Sequence, residues 1–188
     1  MNYHAIVIGS SAGGLQALKT IISGLSPHFK IPIIICQHRS PYSDSFMVQF
    51  LNELTPLLVK EADEKELITD RHIYLAPPNF HLLVEEDFSL SLTVEEKVNF
   101  ARPSIDVLFE TAAEAYQHHL IGLILTGANH DGAKGMLCIQ KKGGLTIAQN
   151  PATAEVPIMP QTAISSGCID YVVNLEEIAE LLNKLCET

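Results

Sequence analysis

Tryptophan is absent, and the 188 residues contain only four cysteines, Cys36, Cys138, Cys168 and Cys186, with no C-x-x-C pair. Widely spaced cysteines set in apolar stretches make neither a zinc knuckle nor a dithiol redox site, so they read as reduced, buried thiols and no metal is expected. Charge is scarce at 18% of residues, and the shortage is in bases: 12 Lys and Arg against 22 Asp and Glu, a net charge of −10. A field of that sign repels a phosphate backbone and argues against nucleic acid as a partner. No apolar run nears the roughly 20 residues that span a bilayer. The N-terminus also lacks the basic, apolar and small-residue series of an export signal. No membrane insertion and a cytoplasmic location are therefore expected. Neither G-x-G-x-x-G nor G-x-x-x-x-G-K-[ST] occurs, which weighs against a nucleotide-binding module. A hydrophobic content of 47% is too high for disorder. The length suits one domain over residues 1–188.

What is present begins at once. Ala5-Ile6-Val7-Ile8 runs into Gly9-Ser10-Ser11-Ala12-Gly13-Gly14 and then into the helix formers Leu15-Gln16-Ala17-Leu18. A short apolar run closed by glycine and followed by a helix reads as a buried strand, a tight turn and a helix. Residues 9–13 fit G-x-S-x-G, whose small flanking residues let a sharp turn lift one hydroxyl, that of Ser11, above the sheet edge. The free N–H groups and positive dipole end of the following helix suit an oxyanion or a phosphate equally. By itself the motif fits an esterase elbow, a phosphate cradle or a plain βα turn.

The same grammar continues along the chain. A helix to Ser23 ends at Gly24, and Ile31 to Cys36 is a continuously apolar strand closed by Gln37-His38-Arg39-Ser40-Pro41. Phe46 to Leu54 repeats at helical spacing, Leu57 to Val59 opens a strand, and the charged stretch Lys60 to Glu66 reads as a solvated loop. Ile73 to Ala76 is a strand, and His81–Val84 with Leu90–Val94 forms a hairpin around Glu86-Asp87. Ser104 is placed to cap a helix running to about His118. Leu120 to Leu125 is a strand that ends in Thr126-Gly127-Ala128-Asn129-His130-Asp131-Gly132, a second glycine-punctuated elbow. A helix to Lys142, a strand at Leu145–Ala148, a proline-broken loop, a strand at Ile169–Val173 and a helix at Leu175–Leu185 follow. Alternating β and α units predict an α/β fold: three layers, a mostly parallel doubly wound sheet, and a small antiparallel hairpin.

Ligands bind at the carboxyl ends of the strands in such sheets. Ser11, His38 and Asp131 all stand at predicted carboxyl ends, so one rim carries a hydroxyl, an imidazole and a carboxylate. A serine is a poor nucleophile unless a neutral imidazole takes its proton and a carboxylate holds that imidazole in the correct tautomer. Taken singly, His38 is a polar strand end and Asp131 a helix N-cap. His4, His28, His72, His81, His118 and His119 show no metal-ligand spacing and read as surface or strand-end residues, while His130 is placed to line the site.

Together these segments carry a family resemblance. Gly9 to Gly14, Gln37-His38, Ala76-Pro77, Arg102-Pro103-Ser104-Ile105-Asp106-Val107-Leu108-Phe109, and Leu125-Thr126-Gly127 with Asp131-Gly132-Ala133 resemble, in order, the catalytic domain of the chemotaxis protein-glutamate methylesterase. The resemblance covers nearly the whole chain. It implies Ser11 as nucleophile, His38 as base, Asp131 as orienting acid and the Ala12 backbone N–H as oxyanion donor, with no cofactor. It also implies hydrolysis of glutamate γ-methyl esters and deamidation of glutamines on methylated chemoreceptor cytoplasmic helices. The family's N-terminal receiver domain has no counterpart here, so a separate receiver protein is the regulatory partner to expect. Ala12 stands where many relatives have threonine, and Ala128 where methionine is frequent, which bears on substrate choice. The readings outside the esterase class are an idle signalling or scaffold relative and a phosphate-binding α/β module.

Overall fold

The computed structural model describes residues 2–40, 42 and 45–186. Pro41, part of the polar group expected after the second strand, lies outside the described residues. In chain order the elements are β1 (Ala5–Ser10), α1 (Gly14–Ser23), β2 (Ile33–Gln37), α2 (Phe46–Asn52), β3 (Leu58–Glu61), β4 (His72–Leu75), β5 (His81–Val84), β6 (Leu90–Thr93), α3 (Ile105–Tyr116), β7 (Leu120–Ile124), α4 (Ala133–Lys141), β8 (Leu145–Gln149), α5 (Ile158–Ser165), β9 (Tyr171–Val173) and α6 (Leu175–Cys186).

Seven strands form one sheet in the order β3-β4-β2-β1-β7-β8-β9, and every neighbouring pair is parallel. The fold is the expected three-layer α/β arrangement. Continuously apolar strands such as β1, β2 and β7, buried at every position, require cover on both faces. Alternate β1 residues supply it in opposite directions. Ile6 and Ile8 pack with Leu18, Ile21, Leu51, Ile178 and Leu182 beneath α1, α2 and α6. Ala5 and Val7 pack with Leu108, Phe109, Met136, Ile139 and Ala163 beneath α3, α4 and α5. The antiparallel hairpin β5–β6 pairs Leu82 with Leu92 and Val84 with Leu90, and its apolar side joins this second face.

Four expectations need correction. The charged stretch from Lys60 is not all loop: Lys60 and Glu61 extend β3 along β4, since one side chain of an edge strand can reach an ionic partner while its backbone pairs. The proline-broken segment after β8 contains α5, where Pro157 precedes the helix and Pro160 lies in its first turn, a place that tolerates a missing N–H. His81 is buried at 1% exposure rather than superficial. Its Nε2 donates to the Glu96 carbonyl and its Nδ1 accepts the Ser104 N–H. Finally, Cys36 and Cys168 are buried, but Cys138 and Cys186 are only partly so; all four are free thiols.

Candidate active site

The sheet order places β2, β1 and β7 side by side, so the segments leaving their carboxyl ends are neighbours although His38 and Asp131 are 93 residues apart. Register sharpens this. Ser10 lies opposite Gln37 on β2, and the ladder continues one step further, with His38 N–H donating to Ser10 O and Ser11 N–H to Thr126 O, both at 3.0 Å. Ser11 therefore emerges between His38 and the β7 loop. The turn into α1 needs φ +78° at Gly13, and the turn into α4 needs φ +96° at Gly132, a region nearly closed to residues with a Cβ.

Ser11 Oγ lies 3.3 Å from His38 Nδ1, and His38 Nε2 lies 2.8 Å from Asp131 Oδ2. Neighbouring amides determine which nitrogen carries the proton. Asn129 accepts the Asp131 N–H through Oδ1, so its Nδ2 is the end facing His38 Nδ1, at 3.2 Å. Two donors, the Asn129 amide and the Ser11 hydroxyl, thus converge on Nδ1, which must be the unprotonated acceptor. Nε2 bears the proton and donates it to the carboxylate. The imidazole side chain is 13% exposed and the carboxylate fully buried.

Asp131 is more than a partner for His38. Its Oδ2 also accepts the Ile105 N–H at 2.7 Å, and its Oδ1 accepts Asn99 Nδ2 at 2.8 Å, Ser104 Oγ at 2.9 Å and the Asp106 N–H at 3.1 Å. The N-terminus of α3 is thus capped by a carboxylate from the β7 loop, and the hydroxyl of Ser104, expected to cap it, donates to that carboxylate instead. Burial works to raise the Asp131 carboxyl, but the hydrogen bonds from His38, Asn99 and Ile105 outweigh it, and its pKa falls below the ordinary 3.8. Asp106 moves the other way: burial raises it, the Asp131 charge adds to that, and the Gly135 N–H opposes them without prevailing.

Further side chains lock the rim, and residue type alone did not single them out. Ser10 Oγ donates to Gln37 Oε1 at 2.6 Å, while Gln37 Nε2 donates to the carbonyls of Ser11 and His38, both at 2.9 Å. Gln37 so bolts the ends of β1 and β2 together. The Thr126 hydroxyl donates to the Ala12 carbonyl at 2.9 Å and accepts the Val156 N–H at 2.8 Å, which ties the elbow to the approach of α5. The Ala12 N–H donates to no backbone carbonyl among the described residues. His130, expected to line the site, pairs with Thr162 on α5 at 3.0 Å and borders neither hollow beside Ser11 and His38. Among the described residues no three His, Cys, Asp or Glu side chains are grouped to hold a metal ion.

Beside His38 opens a cleft of about 460 Å³ walled by Arg39, Lys97, Asn99, Phe100 and Arg102. On the other side of the elbow, Ser11, Gly13, Gln37 and Glu155 border a second hollow. A hydroxyl hydrogen-bonded to a neutral imidazole, itself bonded to a buried carboxylate, is an arrangement able to activate serine for acyl transfer.

Comparison with known proteins accords with this geometry. A Leptospira interrogans protein with the provisional name protein-glutamate methylesterase/protein-glutamine glutaminase is 54% identical over 185 residues, covering 98% of this chain and 96% of its own. A Pyrococcus horikoshii protein-glutamate methylesterase/protein-glutamine glutaminase is 34% identical over 186 residues; the match covers 97% of this chain but 50% of that protein. The crystal structure of the Thermotoga maritima CheB methylesterase catalytic domain superposes with a TM-score of 0.93 at 35% identity, covering 98% of this chain and all of that one. With residues 6–182 matching the family model for CheB methylesterase, the chain belongs to that family of hydrolases.

Proposed function

We propose that this chain hydrolyses glutamate γ-methyl esters on the cytoplasmic helices of chemoreceptors, releasing methanol, and deamidates receptor glutamines by the same route. The observation that carries the reading is the acceptor state of His38 Nδ1 at 3.3 Å from Ser11 Oγ, with Nε2–H directed at Asp131.

In the proposed reaction Ser11 Oγ attacks the ester carbonyl as its proton passes to Nδ1. The imidazolium gains stability from Asp131, whose lowered pKa keeps it ionised. The carbonyl oxygen, now an oxyanion, takes the Ala12 N–H as a donor, a role independent of that residue's side chain. Collapse expels methanol, which receives the Nδ1 proton, and leaves an acyl-serine. Water then gives a proton to Nδ1 and attacks the acyl carbon. Ser11 Oγ departs with that proton and glutamate remains. With a glutamine, ammonia takes the place of methanol. No cofactor enters any step. The test is methanol release from methyl-esterified receptor fragments by this protein and by Ser11→Ala. Release by the parent and its loss in the variant are expected; equal release by both would overturn the proposal.

A further inference from the structure

We infer that the cleft beside His38 is a subsite for an acidic polypeptide segment flanking the esterified glutamate; the identity of that glutamate rests on the proposed function. Three cationic side chains, Arg39, Lys97 and Arg102, wall this cleft, and among the described residues no Asp or Glu lines it, in a chain whose net charge is −10. Such a local reversal of sign has a physical cost unless something of opposite charge occupies the site.

Of the three charges, only that of Arg39 has a carboxylate partner among the described residues, Glu61 at 2.8 Å. The Arg39 side chain is 5% exposed. It donates from Nη2 to Glu61 and to the Ala76 carbonyl, while its buried Nε and Nη1 have no acceptor among the described residues. Buried donors left without partners are rare and call for a cause. Arg102 spends its donors on uncharged acceptors, Asn79 Oδ1 and the carbonyls of Val94 and Glu95. These bonds hold the guanidinium in place without cancelling its charge. Lys97 is exposed and makes no hydrogen bond or ion pair among the described residues. The carboxylates that pair with wall residues, Glu61 and Asp131, are already engaged.

The mouth has an apolar contact as well. Asn99 and Phe100 sit at φ +51° and +64° on a turn closed by reciprocal bonds between Val98 and Ala101 at 3.1 and 2.9 Å. Positive φ is strained for a bulky residue, and this turn holds the Phe100 ring 98% exposed at the cleft rim. An exposed aromatic beside cations of which two lack a carboxylate partner among the described residues matches a peptide with carboxylates and an apolar side chain better than it matches a free small acid.

The experiment uses two synthetic peptides, each with one glutamate γ-methyl ester, flanked by glutamates in one and by glutamines in its twin. Binding to the Ser11→Ala protein is read by fluorescence anisotropy, which needs no turnover. The acidic peptide should bind about ten-fold more tightly at about 0.05 M salt, and the advantage should shrink at about 0.5 M as screening sets in. Adding Lys97→Glu, an exposed substitution that leaves the core untouched, should bring the ratio to about one, and Arg39→Met should reduce it. Equal binding of the twins, or a full preference in both variants, would overturn the subsite. Methanol release from the same peptides by the unaltered protein reads the ester chemistry separately. Release with equal binding removes the subsite alone; a lost preference in the variants without any release keeps the subsite and removes the ester reaction.

Discussion

Asp131 and Asp106 cap each other's helices. The Asp131 carboxylate, just before α4, accepts the Ile105 and Asp106 N–H groups that open α3, while Asp106 Oδ1, in the first turn of α3, accepts the Gly132 and Gly135 N–H groups that open α4. Two helix N-termini are thereby held by two carboxylates, and Asn99 Nδ2 bridges the pair at 2.8 Å to each. Orientation of His38 and docking of α3 on α4 depend on the same side chain.

Substitution of Asp131 should therefore cost stability as well as activity. Oδ2 accepts the Ile105 N–H and Oδ1 the Asp106 N–H, so whichever way the amide of Asp131→Asn turns, its NH2 would face a backbone N–H that cannot accept. Loss of about 1–3 kcal/mol is expected from chemical denaturation. Asparagine would not serve here as a simple N-cap, because the capped helix is α3 and both oxygens accept its N–H groups. An unchanged midpoint would show that these bonds contribute nothing net.

The lowered Asp131 carboxyl gives this loss a pH dependence. A group whose folded pKa lies below its unfolded value stabilises above the unfolded value and ceases to do so as pH falls through the folded one. The stability gap between the parent protein and Asp131→Asn should therefore be widest above about pH 5 and narrow steadily below the ordinary 3.8. The raised Asp106 carboxyl acts with opposite sign, favouring the fold below its unfolded value and losing that effect as pH rises through the folded one. Thermal melts of both proteins from pH 6 downward check it; a gap that widens in acid would contradict the assignment.

Ser11→Ala separates chemistry from folding. Among the described residues the Ser11 hydroxyl has one hydrogen bond, the 3.3 Å contact with His38. Stability should change by less than about 1 kcal/mol. Ester hydrolysis should fall by about 10⁴-fold or more, and covalent labelling by a serine-directed phosphonate should vanish. Labelling that persists in the variant would move the nucleophile elsewhere.

Asn129 offers a test of the imidazole tautomer. Asn129→Asp places an acceptor opposite Nδ1, which rewards a proton on that nitrogen and removes its capacity to receive one from Ser11. A fall in kcat of about 10²-fold or more is expected, short of the 10⁴-fold typical of a fully wrong tautomer. Asn129→Ala removes the competing donor without reversing the polarity and should lose far less. Equal losses in the two variants would mean that Asn129 acts only by packing.

Local pattern determined a great deal about this protein. Apolar runs closed by glycine mark β1, β2 and β7 as buried strands, and the carboxyl-end rule then places Ser11, His38 and Asp131 on one rim, because strand periodicity and turn chemistry are properties of a few adjacent residues. Only the tertiary structure decided the rest. It made β2, β1 and β7 neighbours, turned Nδ1 rather than Nε2 toward Ser11, gave Asp131 the start of α3 to cap, recruited Asn99, Gln37 and Asn129, and buried Arg39 in the cleft wall. These contacts join loops 26 to 93 residues apart. A polar loop residue shows no periodicity from which its partner could be read, and that partner is determined only when packing removes both from water.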